Sequence, residues 1–300
     1  MSSRRVTVGP ATPAAGVLIA IGLVAFLVVP GASRAAVIAK VGSPTSISAW
    51  GGVQVWSDGG SPMVRQAGRI SVLRGARGAT DSDVGPGPDG RPRIVYADSE
   101  RNGRLVIRRP DGTGRRVVPK TTGASLPTIS GSRIAWLAGD GTLRSSRIDG
   151  TERRRLTPPL AEATASDIRD LELSGSRLAV AASYDNVEIG DEVGIVDLVT
   201  GRRTAVNSVV SAESGRTLLG LSWARGRLFH YQTCINVSGR CSSAISFDPR
   251  NRSYERLRSL NRLEGFAVDD DGIHAFVIPR TAGDPIDWTA TTVQRVKLKR

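Results

Sequence analysis

The chain is poor in the residues that most metal proteins and many enzymes depend on. Of 300 residues only two are histidine, two cysteine and two methionine, and aromatics make up 5%. Two histidines, His230 and His274, and two cysteines seven apart cannot supply the closely spaced four-ligand set of a zinc site. No GxxxxGK[ST] run occurs, so no P-loop is expected, and no GxSxG, so no nucleophile elbow. Gly85-Pro-Gly-Pro-Asp-Gly90 matches GxGxxG formally. Its two prolines and the strand-like residues after it make it a turn rather than a dinucleotide loop, which opens onto a helix. No dense Lys/Arg run interleaved with aromatics is present, so nucleic acid is not an expected partner. The expectation is no catalytic set, no cofactor and no bound metal.

Apolar residues are nevertheless 40% of the chain, enough for a packed core. The 34 glycines with few aromatics suit many short strands joined by tight turns. The formal charge is +13, mostly arginine; the three arginines of the first 35 residues account for three of these, leaving +10. Such a surface attracts anionic polymers, lipid headgroups or nucleic acid, or is simply solvated.

The one long apolar run comes first. Arg4 and Arg5 precede GVLIAIGLVAFLVV at Gly16–Val29; Pro30-Gly31 follows, then Ser33-Arg34-Ala35 before Ala36. Charge, short apolar core and small-residue exit are the pattern of a secretory signal over 1–35, cleaved between Ala35 and Ala36. An uncleaved N-terminal anchor is the alternative. Either address is exported, extracellular or at the cell envelope. Cys234 and Cys241 agree with it: they flank Ile-Asn-Val-Ser-Gly-Arg, a polar turn between apolar alternating runs. A hairpin there would set them face to face, and an oxidising compartment would let them form a disulfide worth roughly 2–3 kcal/mol.

Residues 36–300 divide into six segments of similar length. The clearest, Leu126–Thr157, reads LPTISGSRIAWLAGDGTLRSSRIDGTERRRLT: four strand-like runs separated by SGS, GDG and DGT turns. The same grammar recurs at Gly85–Pro119, Ser174–Val206 and Ala224–Leu257, and more loosely at Ile47–Leu73 and Leu263–Leu298. A period near 40–45 residues with four strands per unit predicts a six-bladed β-propeller, all-β, as one domain over 36–300. A seven-bladed or incompletely closed ring is the alternative. In the second run of each unit Trp56, Tyr96, Trp136, Val180, His230 and Phe276 align, preceded by Val55, Val95, Ala135, Ala179, Phe229 and Ala275. That column predicts blade-on-blade packing. The last unit lacks a fourth strand, so Ala36–Val41 is expected to close the ring as its outer strand.

The SGSRIAWLAGDGTLRSSRIDGTERRRLT unit and the Gly87-Pro88-Asp89-Gly90 turn resemble the TolB-type, WD40-like propeller repeat. The resemblance implies a stand-alone binding platform, since neither the extra α/β domain of TolB proteins nor a hydrolase domain is present. It leaves the partner open: an unknown protein or envelope component, bound by a monomer.

Carboxylates are the remaining candidates for chemistry. Asp185, Glu188, Asp191 and Glu192 cluster in the second hairpin of segment four, and Asp269-Asp270-Asp271 precedes the second strand of segment six. Asp185, Asp191 and Asp271 are the acids a sugar-cleaving hydrolase or lyase would use; solvated turns are the plainer reading. Asp81, Asp83 or the 185–192 segment offers oxygens to calcium. Arg115-Arg116, Arg153–Arg155, Arg202-Arg203, Arg256 and Arg258 fall in the fourth strand of successive units. They predict a basic perimeter that protects edges or holds an anionic envelope polymer.

Overall fold

The computed structural model describes residues 35–42, 46–161, 164–185, 189–211, 217–233, 235–236, 239–240, 243–259, 263–279 and 291–298. The leader, Cys234 and Cys241 lie outside them. Among the described residues there is no α-helix, only strand and two short 3-10 turns at Ser99–Arg101 and Ala165–Asp167. The strands form six antiparallel four-stranded sheets, the blades of a closed propeller.

Listed from the channel outwards, blade 1 is Ile47–Trp50, Val53–Asp58, Ser61–Gln66 and Arg69–Val72. Blade 2 is Ala79–Pro86, Pro92–Asp98, Arg104–Arg108 and Arg116–Val117. Blade 3 is Ser125–Ser130, Arg133–Leu137, Leu143–Arg147 and Arg154–Leu156. Blade 4 is Ile168–Ser174, Arg177–Asp185, Ile189–Asp197 and Arg203–Ser211. Blade 5 is Thr217–Ala224, Arg227–Thr233, Ser243–Asp248 and Ser253–Ser259. A side hairpin, Ile235–Asn236 with Gly239–Arg240, interrupts blade 5.

Blade 6 is built from both ends of the described chain. Leu263–Val268, His274–Pro279 and Thr291–Lys297 supply its first three strands, and Ala36–Val41 pairs with the third, from Ala36↔Arg295 to Val41↔Thr291. The ring is therefore closed as the sequence predicts. Val41 is fully buried, and Ile38 and Ala39 pack on the cluster that joins blade 6 to blade 1.

Turn chemistry holds the hairpins. At Asp111-Gly-Thr113, Asp140-Gly-Thr142 and Asp149-Gly-Thr151 the aspartate accepts the threonine N–H at 2.8, 3.1 and 2.9 Å and its hydroxyl at 2.7, 2.6 and 2.5 Å. These bonds favour the ionised form and hold the three carboxyls below the ordinary aspartate value. The central glycine takes a left-handed φ of +72° to +86°, open to it because it has no Cβ.

The core is six slabs, one between each pair of neighbouring blades. Side chains alternate along a strand, so each second strand feeds two slabs. Trp56, Tyr96, Trp136 and Val180 face the preceding blade, while Val55, Val95, Ala135 and Ala179 face the following one. His230, 1% exposed, shares the strand face of Leu228, which packs against blade 4. Blade 6 breaks the rule. Phe276 faces blade 1 and Ala275 faces blade 5, the reverse of the other blades. The aligned column is core throughout, with the sixth unit one residue out of phase.

Candidate ligand site at the channel mouth

The inner strands of the six blades stand side by side around a central channel. Each is the edge of its own sheet, so its outward N–H groups need partners from elsewhere. One position supplies them repeatedly. Ser48 Oγ accepts Val84 N–H at 3.1 Å, and Asp83 Oδ2 accepts Ile129 N–H at 3.1 Å. Thr128 Oγ1 accepts Leu173 N–H at 2.9 Å, and Ser222 Oγ accepts Val268 N–H at 3.0 Å. In blade 4 the same position is Glu172, whose ionised form the Trp223 backbone N–H of the next blade favours. In blades 1, 2, 3 and 5 one polar side chain thus bonds the next blade's backbone. Two residues earlier, Asp81 and Asp170 add bonds to Leu126 N–H at 3.2 Å and Leu221 N–H at 2.6 Å. The fit is close elsewhere too. At Gly220, φ +65°, a Cβ would lie 1.8 Å from the Phe266 carbonyl oxygen.

A hydroxyl suffices for this lock in blades 1, 3 and 5. Blades 2 and 4 carry carboxylates at this position, and the resulting acids meet in one cavity of about 270 Å³ at the start of the inner strands. Asp81, Asp83, Asp170 and Glu172 line it with Ser46, Ser48 and Ser82. Ser82 is 6% exposed, and its hydroxyl finds no hydrogen-bond partner among the described residues. Arg169 stands exposed at the cavity wall, donating to the Ser166 carbonyl at 3.0 Å. No ion pair to any of the four acids occurs among the described residues.

Electrostatics follow from that geometry. Asp81, Asp170 and Glu172 keep some surface open to the lumen, yet protein surrounds them, and a narrow lumen hydrates a carboxylate poorly. Burial raises Asp170 to about 7, with the like charges of Asp83 and Asp81 adding to it and the Leu221 N–H opposing. Burial likewise holds Glu172 well above the ordinary glutamate value, reinforced by Asp83 and Asp170. Asp81 and Asp83 are raised by burial too, against their backbone and hydroxyl donors. A carboxyl raised to about 7 beside other raised acids is able to exchange protons with them, or to release one to a cationic ligand.

Of the acids singled out from sequence, Asp81 and Asp83 line this cavity, while the candidates for sugar chemistry lie elsewhere. Asp191 is 1% exposed in the third strand of blade 4 and accepts the Ser183 hydroxyl at 2.6 Å. Glu192, 2% exposed beside it, accepts the Ala161 N–H at 3.1 Å. Asp185 ends the second strand opposite Ile189; its side chain and all of Glu188 lie outside the described residues. Asp271 sits in the turn before His274–Pro279. It accepts the Ile273 and His274 N–H groups and contacts His274 Nδ1 at 2.5 Å. Successive turns of an antiparallel meander open on alternate faces, so the 185–189 turn and the 269–273 turn are at opposite ends of the ring. Asp185, Asp191 and Asp271 are not brought together. Both oxygens of Asp83 are engaged, one by the Ser48 hydroxyl at 2.5 Å and one by Ile129 N–H. Among the described residues no three His, Cys, Asp or Glu side chains converge as a metal site. Asp170 and Glu172 were missed, although Asp170-Leu-Glu-Leu173 before Ser174-Gly175 carries the signal: two acids at strand spacing just ahead of the turn that marks an inner strand.

No protein-family model matches the chain, and no curated protein does. Solved structures do. TolB from Acinetobacter baumannii superposes with a TM-score of 0.54 at 10% identity, over 87% of this chain and 64% of that one. The chain thus spans less than two thirds of that protein. An oligogalacturonate lyase from Vibrio parahaemolyticus gives 0.52 at 9% identity, over 85% and 78%. A chain of a mitotic checkpoint complex gives 0.51 at 13%, over 99% of both. At such identities the likeness is one of fold, a β-propeller shared by proteins of different activities.

Proposed function

We propose that the protein is an exported, non-catalytic binding platform of the cell envelope whose ligand enters the acidic channel mouth. One observation carries this reading: blades 2 and 4 place carboxylates where hydroxyls make the same inter-blade bond, and all four acids line one cavity. Charge that the fold does not need is charge available to a ligand. The leader at 1–35 supports export, and the TolB-like repeat supports a platform role. The test is capture from an envelope extract by the wild-type protein and by the Asp170→Asn, Glu172→Gln pair. Loss of the captured component in the variant is expected; equal capture by both refutes the site.

A second reading keeps the enzyme alternative. Asp170, near 7, lies two residues from Glu172 on one strand face, and sugar hydrolysis uses two carboxyls with one protonated. Four acids would repel a uronate chain, so its substrate would be a neutral glycan. Release of reducing ends from neutral oligosaccharides, abolished by Asp170→Asn alone, would favour this reading over the platform.

A further inference from the structure

The perimeter holds a second cavity, of about 300 Å³, between the outer strands of blades 3 and 4. Arg155 and Arg203 stand on its walls with Thr142, Thr157 and Thr164, and no described carboxylate lines it. Both arginines are exposed, and neither forms an ion pair among the described residues. The walls are fixed relative to each other. Arg154 Nη1, beside Arg155, donates across the blades to the Leu198 carbonyl at 2.8 Å.

Edge protection does not account for this arrangement. It requires charges along a sheet edge, not two arginines of neighbouring blades lining one cavity. The arginines with structural work are different ones. Arg153 lies 5.5 Å from the Trp136 ring centre and bonds the Pro119 and Lys120 carbonyls. Arg144 pairs with Asp140, and Arg133 and Arg147 share Glu152. Arg115 and Arg116 on blade 2 and Arg202 on blade 4 are exposed and without an acid partner among the described residues. The paired arginines brace hairpins; the unpaired ones lie along the outer strands.

We propose that the cavity between Arg155 and Arg203 binds a phosphate group, and that the flanking outer-strand arginines extend it into a track for a polymer carrying repeated phosphates. A guanidinium fork binds two oxygens of an oxyanion at once. Two arginines lining one cavity offer more donors than a carboxylate's two oxygens can use, and suit a tetrahedral group with three or four oxygens. Arginine pairs recurring from blade 2 to blade 4 match a repeating anion. This inference is independent of the channel site.

The test uses long-chain polyphosphate as the probe, measured by fluorescence anisotropy with the full chain. The Arg155→Gln, Arg203→Gln pair is expected to weaken binding by at least tenfold, since each site loses a charge-assisted bond. Inorganic phosphate is expected to compete weakly. The Arg69→Gln, Arg77→Gln pair, on blade 1's outer strand and in the connection after it, removes the same charge elsewhere and is expected to change binding less than threefold. Equal losses from the two pairs would reduce the effect to net charge and overturn the site. Binding to phosphatidylglycerol vesicles without binding to polyphosphate would overturn the polymer in favour of a membrane surface. Glu162 is the one acid in the sequence between Thr157 and Thr164, which line the cavity, so Glu162→Gln is measured alongside. An increase in affinity that does not depend on Arg155 and Arg203 would also overturn the proposal. Unchanged circular dichroism and melting temperature show that each variant is folded.

Discussion

Replacing Asp170 with asparagine should change the stability of the propeller with a sign that depends on pH. In the folded ring the Asp170 carboxyl titrates near 7, against 3.8 in an open chain. A carboxyl whose folded value is raised contributes stability below pH 3.8, and that contribution is lost as pH rises through 7. At 1.36 kcal/mol per pH unit, the ionised form costs the folded state roughly 4 kcal/mol at pH 8. Asparagine removes that cost. It also removes one acceptor, because Asp170 takes the Leu171 N–H on one oxygen and the Leu221 N–H on the other, a loss of about 1 kcal/mol. The net expectation is a variant about 3 kcal/mol more stable at pH 8 and equal or slightly less stable at pH 4. For a chain of this length that is roughly 6 °C in melting temperature at pH 8. Thermal unfolding of both proteins at pH 4, 6 and 8 measures it. A constant difference across the three pH values would show that Asp170 is ionised throughout and would refute the reasoning.

Three further outcomes are expected. His230 is buried between blades 4 and 5, neither ring nitrogen has a partner among the described residues, and burial lowers it to about 4. A histidine depressed on folding contributes stability above 6.5 that is lost as pH falls through 4, at most roughly 3 kcal/mol; His230→Leu should abolish this loss, read from urea midpoints at pH 7.5 and 4.5. Deleting residues 36–41 removes the fourth strand of blade 6 and uncovers the slab that Val41 fills. It should lower the melting temperature by at least 10 °C, on the order of 5 kcal/mol, and an unchanged value would contradict ring closure. For the expected Cys234–Cys241 bond, thiol titration of the exported, denatured protein should find no free thiol before reduction and two after; two beforehand would exclude it.

The fold was legible because its signals are local. SGS, GDG and DGT turns at regular spacing mark strand ends, and a strand's two-residue period turns an aligned column into a packing face. The one slip was at Phe276, where the sixth unit runs one residue out of phase with the others. The channel acids were harder to read. Asp170 and Glu172 look like ordinary strand acids, Asp81 and Asp83 stood out only as oxygens for calcium, and the proximity of all four arises only when blades 2 and 4 are placed around a common axis. Asp185, Asp191 and Asp271 were conspicuous in sequence because acids near glycines suggest loops. In the ring Asp191 is buried in a strand, and the turns bearing Asp185 and Asp271 open at opposite ends.

What the sequence determined by itself is the number of blades, the strand order within each, and the need for Ala36–Val41 to complete the last. These depend on turn residues and alternation, interactions that span a few positions. Only the tertiary structure decided which polar side chains share a cavity, which arginines lack partners, and how far burial moves a carboxyl from its ordinary value. Those quantities depend on distances between groups 35 or more residues apart, and no local pattern in the chain contains them.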